Sequence, residues 1–262
     1  MNESAVRRHV RRAAFLFDAM QFAGWRIVRL DETESTNDAA RGGRAGEVYV
    51  ARRQTAGRGR IGHRWLAEPG ANLTMSAVID VSGLDAQAAA TLPLAVGLAV
   101  AEAFDGAVAG IGLKWPNDVL VAGRKLAGIL CERDGGNAIA GIGVNVRQTR
   151  FAPEIAGRAV SLARLGVSMT VEEALDATLA SLARVAAEWK DGGFAAIWPR
   201  IAALDLLKGK FVRVVQTDGD ESPAEGLCGG VAEDGSLDVG GRKIWAGEAI
   251  ARHVGFYGRM PP

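Results

Sequence analysis

Apolar residues recur along this chain with two different periods, and the switches between them mark out its elements. Residues 5–23 place basic side chains on one face of a helix and Phe15, Leu16, Ala19 and Met20 on another. Residues 25–30, 48–51 and 73–81 have the apolar alternation of strands. Ser35 and Thr36 precede Asn37-Asp38-Ala39-Ala40-Arg41, a helix start with hydroxyl and carboxamide caps. From 85 to 104, dense alanine and leucine, with Leu92, Ala95, Val96 and Ala99 at helical spacing, predict a long buried helix that Pro93 begins or kinks. Short strands follow at 111–115, 119–121, 127–132 and 138–146, separated by turns at Asn117-Asp118, Ala122-Gly123 and Gly135-Gly136-Asn137. An amphipathic helix is predicted over 171–190 and a shorter one over 194–203.

At about Leu206 the character changes. Residues 211–216, 224–231, 236–239 and 243–250 are short β-like pieces punctuated by Gly and Asp turns, as in a small β-barrel. The pattern predicts a main domain of helices and strands over 1–205 and a small all-β domain over 206–262. It has no strand–turn–helix repeat of a doubly wound sheet.

Composition narrows the class. With 48% hydrophobic and 23% charged residues, the chain fits an ordinary folded core. Its 31 basic and 30 acidic residues nearly cancel, which argues against broad electrostatic binding of nucleic acid. Two cysteines, Cys131 and Cys228, lack C-x-x-C spacing, so a reduced cytoplasm is the default and Cys131 reads as a buried, inert thiol. His9, His63 and His253 form no metal-ligand pattern. No apolar run approaches the roughly 20 residues that cross a bilayer, so no membrane association is expected.

Candidate chemistry concentrates in four places. Residues 54–65, Gln-Thr-Ala-Gly-Arg-Gly-Arg-Ile-Gly-His-Arg-Trp, combine Gly57, Gly59 and Gly62 with Arg58, Arg60 and Arg64. Such a loop brings guanidinium forks and bare backbone to an anion, and Trp65 adds a face for stacking. An exposed arginine loop is the alternative. Lys114-Trp115-Pro116-Asn117-Asp118 can aim ammonium, carboxamide and carboxylate into one cleft, or be a solvent-facing turn with Trp115 in the core. Lys125 stands at the mouth of a strand where its amine can stabilise negative charge, with Gly128 three residues on; an ordinary hairpin tip is the alternative. Gly141, Gly143 and Asn145 share one strand face, suggesting close approach of a ligand or another backbone. Several cations, one carboxylate, a stacking tryptophan and no nucleophile triad suit activation of a carboxylate by a nucleotide.

Five ordered blocks, Glu34-Ser35-Thr36-Asn37, Gln54 to Arg60, Lys114 to Asp118, Lys125-Leu126-Ala127-Gly128-Ile129 and Gly141 to Asn145, resemble the biotin–protein ligases. The resemblance implies an α+β fold: a mixed-sheet, class II synthetase-like catalytic domain with a small C-terminal SH3-like β-barrel. It also implies a two-step reaction in which biotin and MgATP give biotinyl-5′-AMP, which an acceptor lysine then attacks. Carried over by position, Ser35, Thr36, Asn37, Gln54 and the backbone of Gly57, Arg58, Gly59 and Arg60 contact biotin, with Gly128 beside it. Arg60 holds phosphate, Trp65 stacks near the adenine, and Lys125 bridges carboxylate and phosphate oxygens. Lys114 assists with the phosphates, Asn117 and Asn145 place the nucleotide, and Asp118 orients the incoming lysine or a metal-linked water. No protein-bound metal is implied beyond the Mg2+ of ATP.

The implied partner is a biotin carboxyl carrier domain, as in acetyl-CoA carboxylase; a homodimer through a sheet edge is left open. His63 stands where family members often carry arginine. Only 34 residues precede Ser35, too few for the N-terminal DNA-binding domain of bifunctional members, so no DNA partner is expected. Lipoate–protein ligase and a non-catalytic biotin sensor are the rival readings.

Overall fold

The computed structural model describes residues 20–215 and 223–251. The helix expected over 5–23 lies mostly outside them; its described end, Met20–Phe22, is instead a strand, β1, paired with the next. Strand β2 (Trp25–Thr33) then runs parallel to β3 (Glu47–Gln54), joined through the short helix α1 (Thr36–Ala39). β4 (Leu73–Asp80), β5 (Ile111–Lys114), β6 (Asp118–Val121), β7 (Arg124–Asp134) and β8 (Asn137–Val144) complete an eight-stranded sheet ordered β1-β2-β3-β4-β8-β7-β6-β5. Among the described strands of this sheet only β2–β3 is a parallel pair, so the sheet is mixed.

One face of the sheet is roofed by helices. The run predicted as one helix over 85–104 is two, α2 (Ala86–Ala90) and α3 (Leu92–Phe104), with Pro93 in the first turn of α3, where its missing N–H costs no hydrogen bond. Gly97 lets α3 approach the sheet: a Cβ there would lie 3.4 Å from Leu113 Cδ2 and 3.9 Å from Ile129 Cδ1. Against the expectation that no apolar run approaches a bilayer-crossing length, Ala86–Phe104 passes for a membrane span by length and composition, but α3 is a core helix with Leu92, Leu98 and Phe104 fully buried. Helix α4 (Val171–Leu204) packs beside it. It opens with a capping box between Thr170 and Glu173 and breaks at Gly193 (φ 68°), close to where two separate helices were expected.

A second, five-stranded antiparallel sheet follows: β9 (Phe211–Val215), β10 (Ala224–Val231), β11 (Leu237–Val239), β12 (Arg242–Ile244) and β13 (Glu248–Ala251). The strand expected over 243–250 is split. β12 pairs with β11 and β13 with β9, on opposite edges, so the chain must cross between them. Gly247 (φ 138°) makes that passage, because a Cβ there would meet Val214 Cγ1 and the Val215 carbonyl at 2.7 Å. Trp115 Nε1 donates to the Gly235 carbonyl (3.3 Å) and Trp198 Nε1 to that of Val231 (2.8 Å), joining the second sheet and its turns to the turn after β5 and to α4.

Candidate active site

Pleating decides what the face opposite the helices can hold. Gly128 of β7, Gly143 of β8 and Thr74 of β4 are cross-strand partners in one row, and Leu130, Gly141 and Ser76 form the next. Absence of Cβ atoms leaves room over the first row, and the indole of Trp65 fills it. A Cβ on Gly143 would lie 2.3 Å from the Trp65 ring, and one on Gly128 would lie 3.2 Å from it and 2.8 Å from Lys125 Cε. Over the second row Gly141 admits Asn37, whose Oδ1 lies 2.3 Å from where a Cβ would be. The glycine-lined face expected from sequence is therefore present, and in this structure two side chains of the chain itself rest on it. Trp65 Nε1 is buried and has no hydrogen-bond partner among the described residues.

Lys125 reaches this face through a register shift. Val119 pairs with Ala127 but Leu120 with Lys125, so Leu126 is an extra, bulged residue. Residues three apart in a regular strand point to opposite faces; the bulge returns Lys125 to the side of Gly128. Its Nζ lies 2.6 Å from Asp118 Oδ1 and 5.9 Å from the Trp65 ring centroid. Its backbone is held at both ends: the N–H donates to the Arg158 carbonyl (2.7 Å), and the carbonyl accepts from Val160 N (3.0 Å) and Asn145 Nδ2 (3.2 Å). Asn145 thus spends an amide proton on positioning Lys125.

The turn at 114–118 divides between the core and the surface beside Lys125. Trp115 is buried in the core, while Asn117 and Asp118 face the site. Asn117 bonds both backbone groups of Ile129, through its carbonyl (3.0 Å) and its Nδ2 (2.7 Å), which docks the turn on β7. Lys114 is the register partner of Asp118, on its side of the sheet.

The arginine–glycine segment is a small hairpin. Arg58 bridges Arg64, Gly59 N donates to the His63 carbonyl (2.7 Å), and His63 N to that of Arg60 (3.0 Å). Arg60 points back to the sheet: its Nη1 contacts Asn117 Oδ1 (3.4 Å) and the Gly247 carbonyl (3.2 Å). Burial pulls its pKa below the ordinary value, opposed by Asp118 and Glu248. The Arg58 side chain pairs with Asp38 (2.8 Å) and with Glu132 (3.1 Å) at the edge of the cleft. His63 lies 3.8 Å from Glu248. The hairpin overhangs a cleft of about 680 Å3 lined by residues 56–64, Leu130 and Glu132.

Ser35, Thr36 and Asn37 are all buried at the start of α1. Ser35 occupies the N-cap position, yet its hydroxyl makes no capping bond. Gln54 Oε1 accepts from Thr36 N (2.7 Å) and Thr36 Oγ1 (3.0 Å). Sequence reasoning missed Ser76, whose Oγ stands 2.7 Å from Thr36 Oγ1 and 2.6 Å from Asn37 Oδ1, and it missed Leu130 and Glu132. Both omissions had a signal: Thr74 and Ser76 interrupt an apolar strand on one face, and 130 and 132 continue the face of Gly128. Cys131 lies on the other face of β7; burial pushes its thiol up to about 12, as an inert cysteine requires. Among the described residues, no group of His, Cys, Asp and Glu could hold a metal ion.

A mixed sheet with one face roofed by helices and the other floored by glycine beside Lys125, Arg60 and Asp118 suits a protein that binds a small anionic ligand. Residues 29–148 match the Biotin/lipoate A/B protein ligase family. The chain is 37% identical over 242 residues to the biotin–[acetyl-CoA-carboxylase] ligase of Mycobacterium tuberculosis, covering 85% of this chain and 87% of that one. It is 36% identical to the enzyme of the same name from Paracoccus denitrificans, covering 81% and 93%. The fold superposes on a biotin protein ligase from Aquifex aeolicus solved with biotin and ATP, with TM-score 0.76 and 30% identity, covering 86% of this chain and 98% of that one. The chain belongs to the biotin/lipoate protein ligase family, and these relatives are its biotin ligases.

Proposed function

We propose that this protein joins biotin to ATP, forming biotinyl-5′-AMP and pyrophosphate, and then transfers the biotinyl group to a lysine of an acceptor protein. The observation that carries the reading is the convergence of Lys125, Asp118, Arg60 and Trp65 on the glycine floor, beside the buried Thr36–Asn37–Gln54 group. A carboxylate and a triphosphate repel one another. Lys125 and Arg60 supply fixed positive charge where they meet, so that little reorganisation is needed when the anhydride forms. Asp118 holds the Lys125 ammonium in place, and Lys114, across from Asp118, adds charge for the outer phosphates. Trp65 offers the flat surface for adenine, while Ser35, Thr36, Asn37 and Gln54 form the polar end of the biotin site. Magnesium arrives with ATP as part of the substrate.

The relatives' names point to a carboxylase carrier domain as acceptor, and the near balance of charge supports a protein rather than a nucleic acid in that role. We divide the chain into a catalytic unit, 1–205, and a β unit, 206–262. Exchange of labelled pyrophosphate into ATP tests the first step. Exchange that depends on biotin, and that lipoate does not support, is expected; exchange with lipoate alone would overturn the assignment.

A further inference from the structure

Glu132 continues the face of β7 that carries Gly128 and Leu130, and it lines the cleft under the hairpin. Its Oε2 accepts from Asn37 Nδ2 (2.6 Å) and from Arg58 Nη2 (3.1 Å), and its Oε1 from Arg41 Nη2 (2.9 Å). The Leu130 carbonyl accepts from Asn37 Nδ2 as well, at 3.3 Å. Both amide protons are thereby committed, and Asn37 Oδ1 must face Ser76.

From that point four oxygens stand in a row. Asn37 Oδ1, Ser76 Oγ, Thr36 Oγ1 and Gln54 Oε1 are separated by 2.6, 2.7 and 3.0 Å. Each hydroxyl has one proton to give, and the two outer oxygens can only accept. Three contacts therefore share two protons. Gln54 cannot turn to supply the third, because the Thr36 backbone N–H, 2.7 Å away, holds its oxygen in place. Reversing the Asn37 amide would supply it, but would set Oδ1 against the Glu132 carboxylate and the Leu130 carbonyl. The charge on Glu132 thus decides which way the buried row is polarised. The row runs between two cleft-lining residues: Glu132 at one end, and at the other Gly57, where a Cβ would lie 3.0 Å from Gln54 Nε2.

We propose that Glu132 is a positioning residue, which holds the Asn37 carboxamide so that the row lacks one proton and offers an acceptor to a ligand N–H. The proposal rests on the reading of this site as the biotin pocket: the cyclic urea of biotin carries two N–H donors. A buried acceptor left without a donor is costly, so a donor that completes the row binds well and a ring without one does not.

The test is calorimetric titration with biotin alone, on the wild type, Glu132→Ala, Glu132→Gln, Asn37→Ala and the double variant Glu132→Ala/Asn37→Ala, with melting temperatures to confirm folding. Glu132→Ala is expected to weaken biotin binding by about tenfold to a hundredfold, the range for one buried unsatisfied group, with the KM for ATP little changed. Glu132→Gln keeps an oxygen for Asn37 Nδ2 and is expected to lose much less. The double variant should bind no more weakly than Asn37→Ala. Additive losses in the double variant, or equal losses with Gln and Ala, would place the effect on the arginines and overturn the proposal. A folded wild type that binds no biotin would instead sink the functional reading beneath it.

Discussion

Gly128 lies directly across the sheet from Gly143, and the indole of Trp65 rests on the pair. Gly143 tolerates no side chain while Trp65 stays where it is, whereas a Cβ on Gly128 would press first on Lys125 Cε, at 2.8 Å. Gly143→Ala puts a methyl group 2.3 Å from the ring and must displace it. Base–aromatic stacking is typically worth about 1–3 kcal/mol, so displacing the ring is expected to raise the KM for ATP by about fivefold to a hundredfold. Biotin affinity should be nearly unchanged. Gly141→Ala displaces Asn37 instead and should do the reverse. Steady-state kinetics with each substrate varied in turn separates the two patterns.

Lys125 and Arg60 stand on the same face, but neither is needed to fill the core. Lys125→Ala and Arg60→Ala are each expected to slow adenylate formation by about 10²–10³-fold, the usual loss for one preorganised charge donor in a water-excluded site. Melting temperatures should stay close to that of the wild type. Rapid-quench measurement of adenylate on a stoichiometric amount of enzyme reads the chemical step apart from release. Near-normal adenylate from Lys125→Ala would remove this residue from the mechanism.

Much of this site was legible in sequence because its parts are short and local. The strand faces follow from alternation, and the glycine pair at 141 and 143 pointed to close approach from residue type alone. What approaches those glycines was not legible. Asn37 is about a hundred residues from Gly141 and Trp65 nearly eighty from Gly143, and only the sheet order brings them together. The bulge at Leu126 was hidden for a related reason: a one-residue slip between β6 and β7 is a property of their pairing, and it alone turns Lys125 to the side of Gly128. The split of 243–250 likewise depends on which edges the two halves join.

The hairpin tip holds a residue unsuited to its backbone. Ile61 (φ 52°) and Gly62 (φ 72°) are the two central residues of the turn closed by His63 N and the Arg60 carbonyl. A β-branched side chain in the left-handed region is strained, whereas Asn before Gly is the pair such a turn favours. Ile61→Asn is expected to stabilise the hairpin by a fraction of the roughly 1–3 kcal/mol stored in a strained residue. Limited trypsin digestion of the ligand-free protein reads this directly. Cleavage after Arg58, Arg60 and Arg64 should slow in the variant, and unchanged cleavage would mean that the wild-type tip is not strained.

Glu47 and Tyr49 form a pH-sensitive pair on β3, the phenol donating to Glu47 Oε2 at 2.9 Å. Burial, then the bond to Glu47, raises the Tyr49 pKa from 10.0 to about 12. The raised value stabilises the fold fully below pH 10, and that contribution is lost as pH rises through about 12. For Glu47, burial acts upward but is outweighed by bonds from the Arg44 backbone, Tyr49 and Arg26, so its pKa is lowered. Its contribution is present above the ordinary carboxylate value of 4.5 and is lost as pH falls through the lowered one. Tyr49→Phe should flatten the alkaline limb of a plot of melting temperature against pH. Tyrosinate absorbance gives the value itself, and a Tyr49 that ionises at its ordinary pKa would refute this.

On the proposed function, the charged, glycine-floored face activates biotin for transfer to a protein lysine. Incubation of the protein with biotin, MgATP and a biotin carboxyl carrier domain, read by intact-mass spectrometry of the acceptor, tests it most directly. The acceptor should gain a single biotinyl group, absent when ATP is omitted or the acceptor lysine is replaced, and strongly slowed with Lys125→Ala. A folded protein that binds biotin and ATP but leaves the mass of the acceptor unchanged would contradict the account.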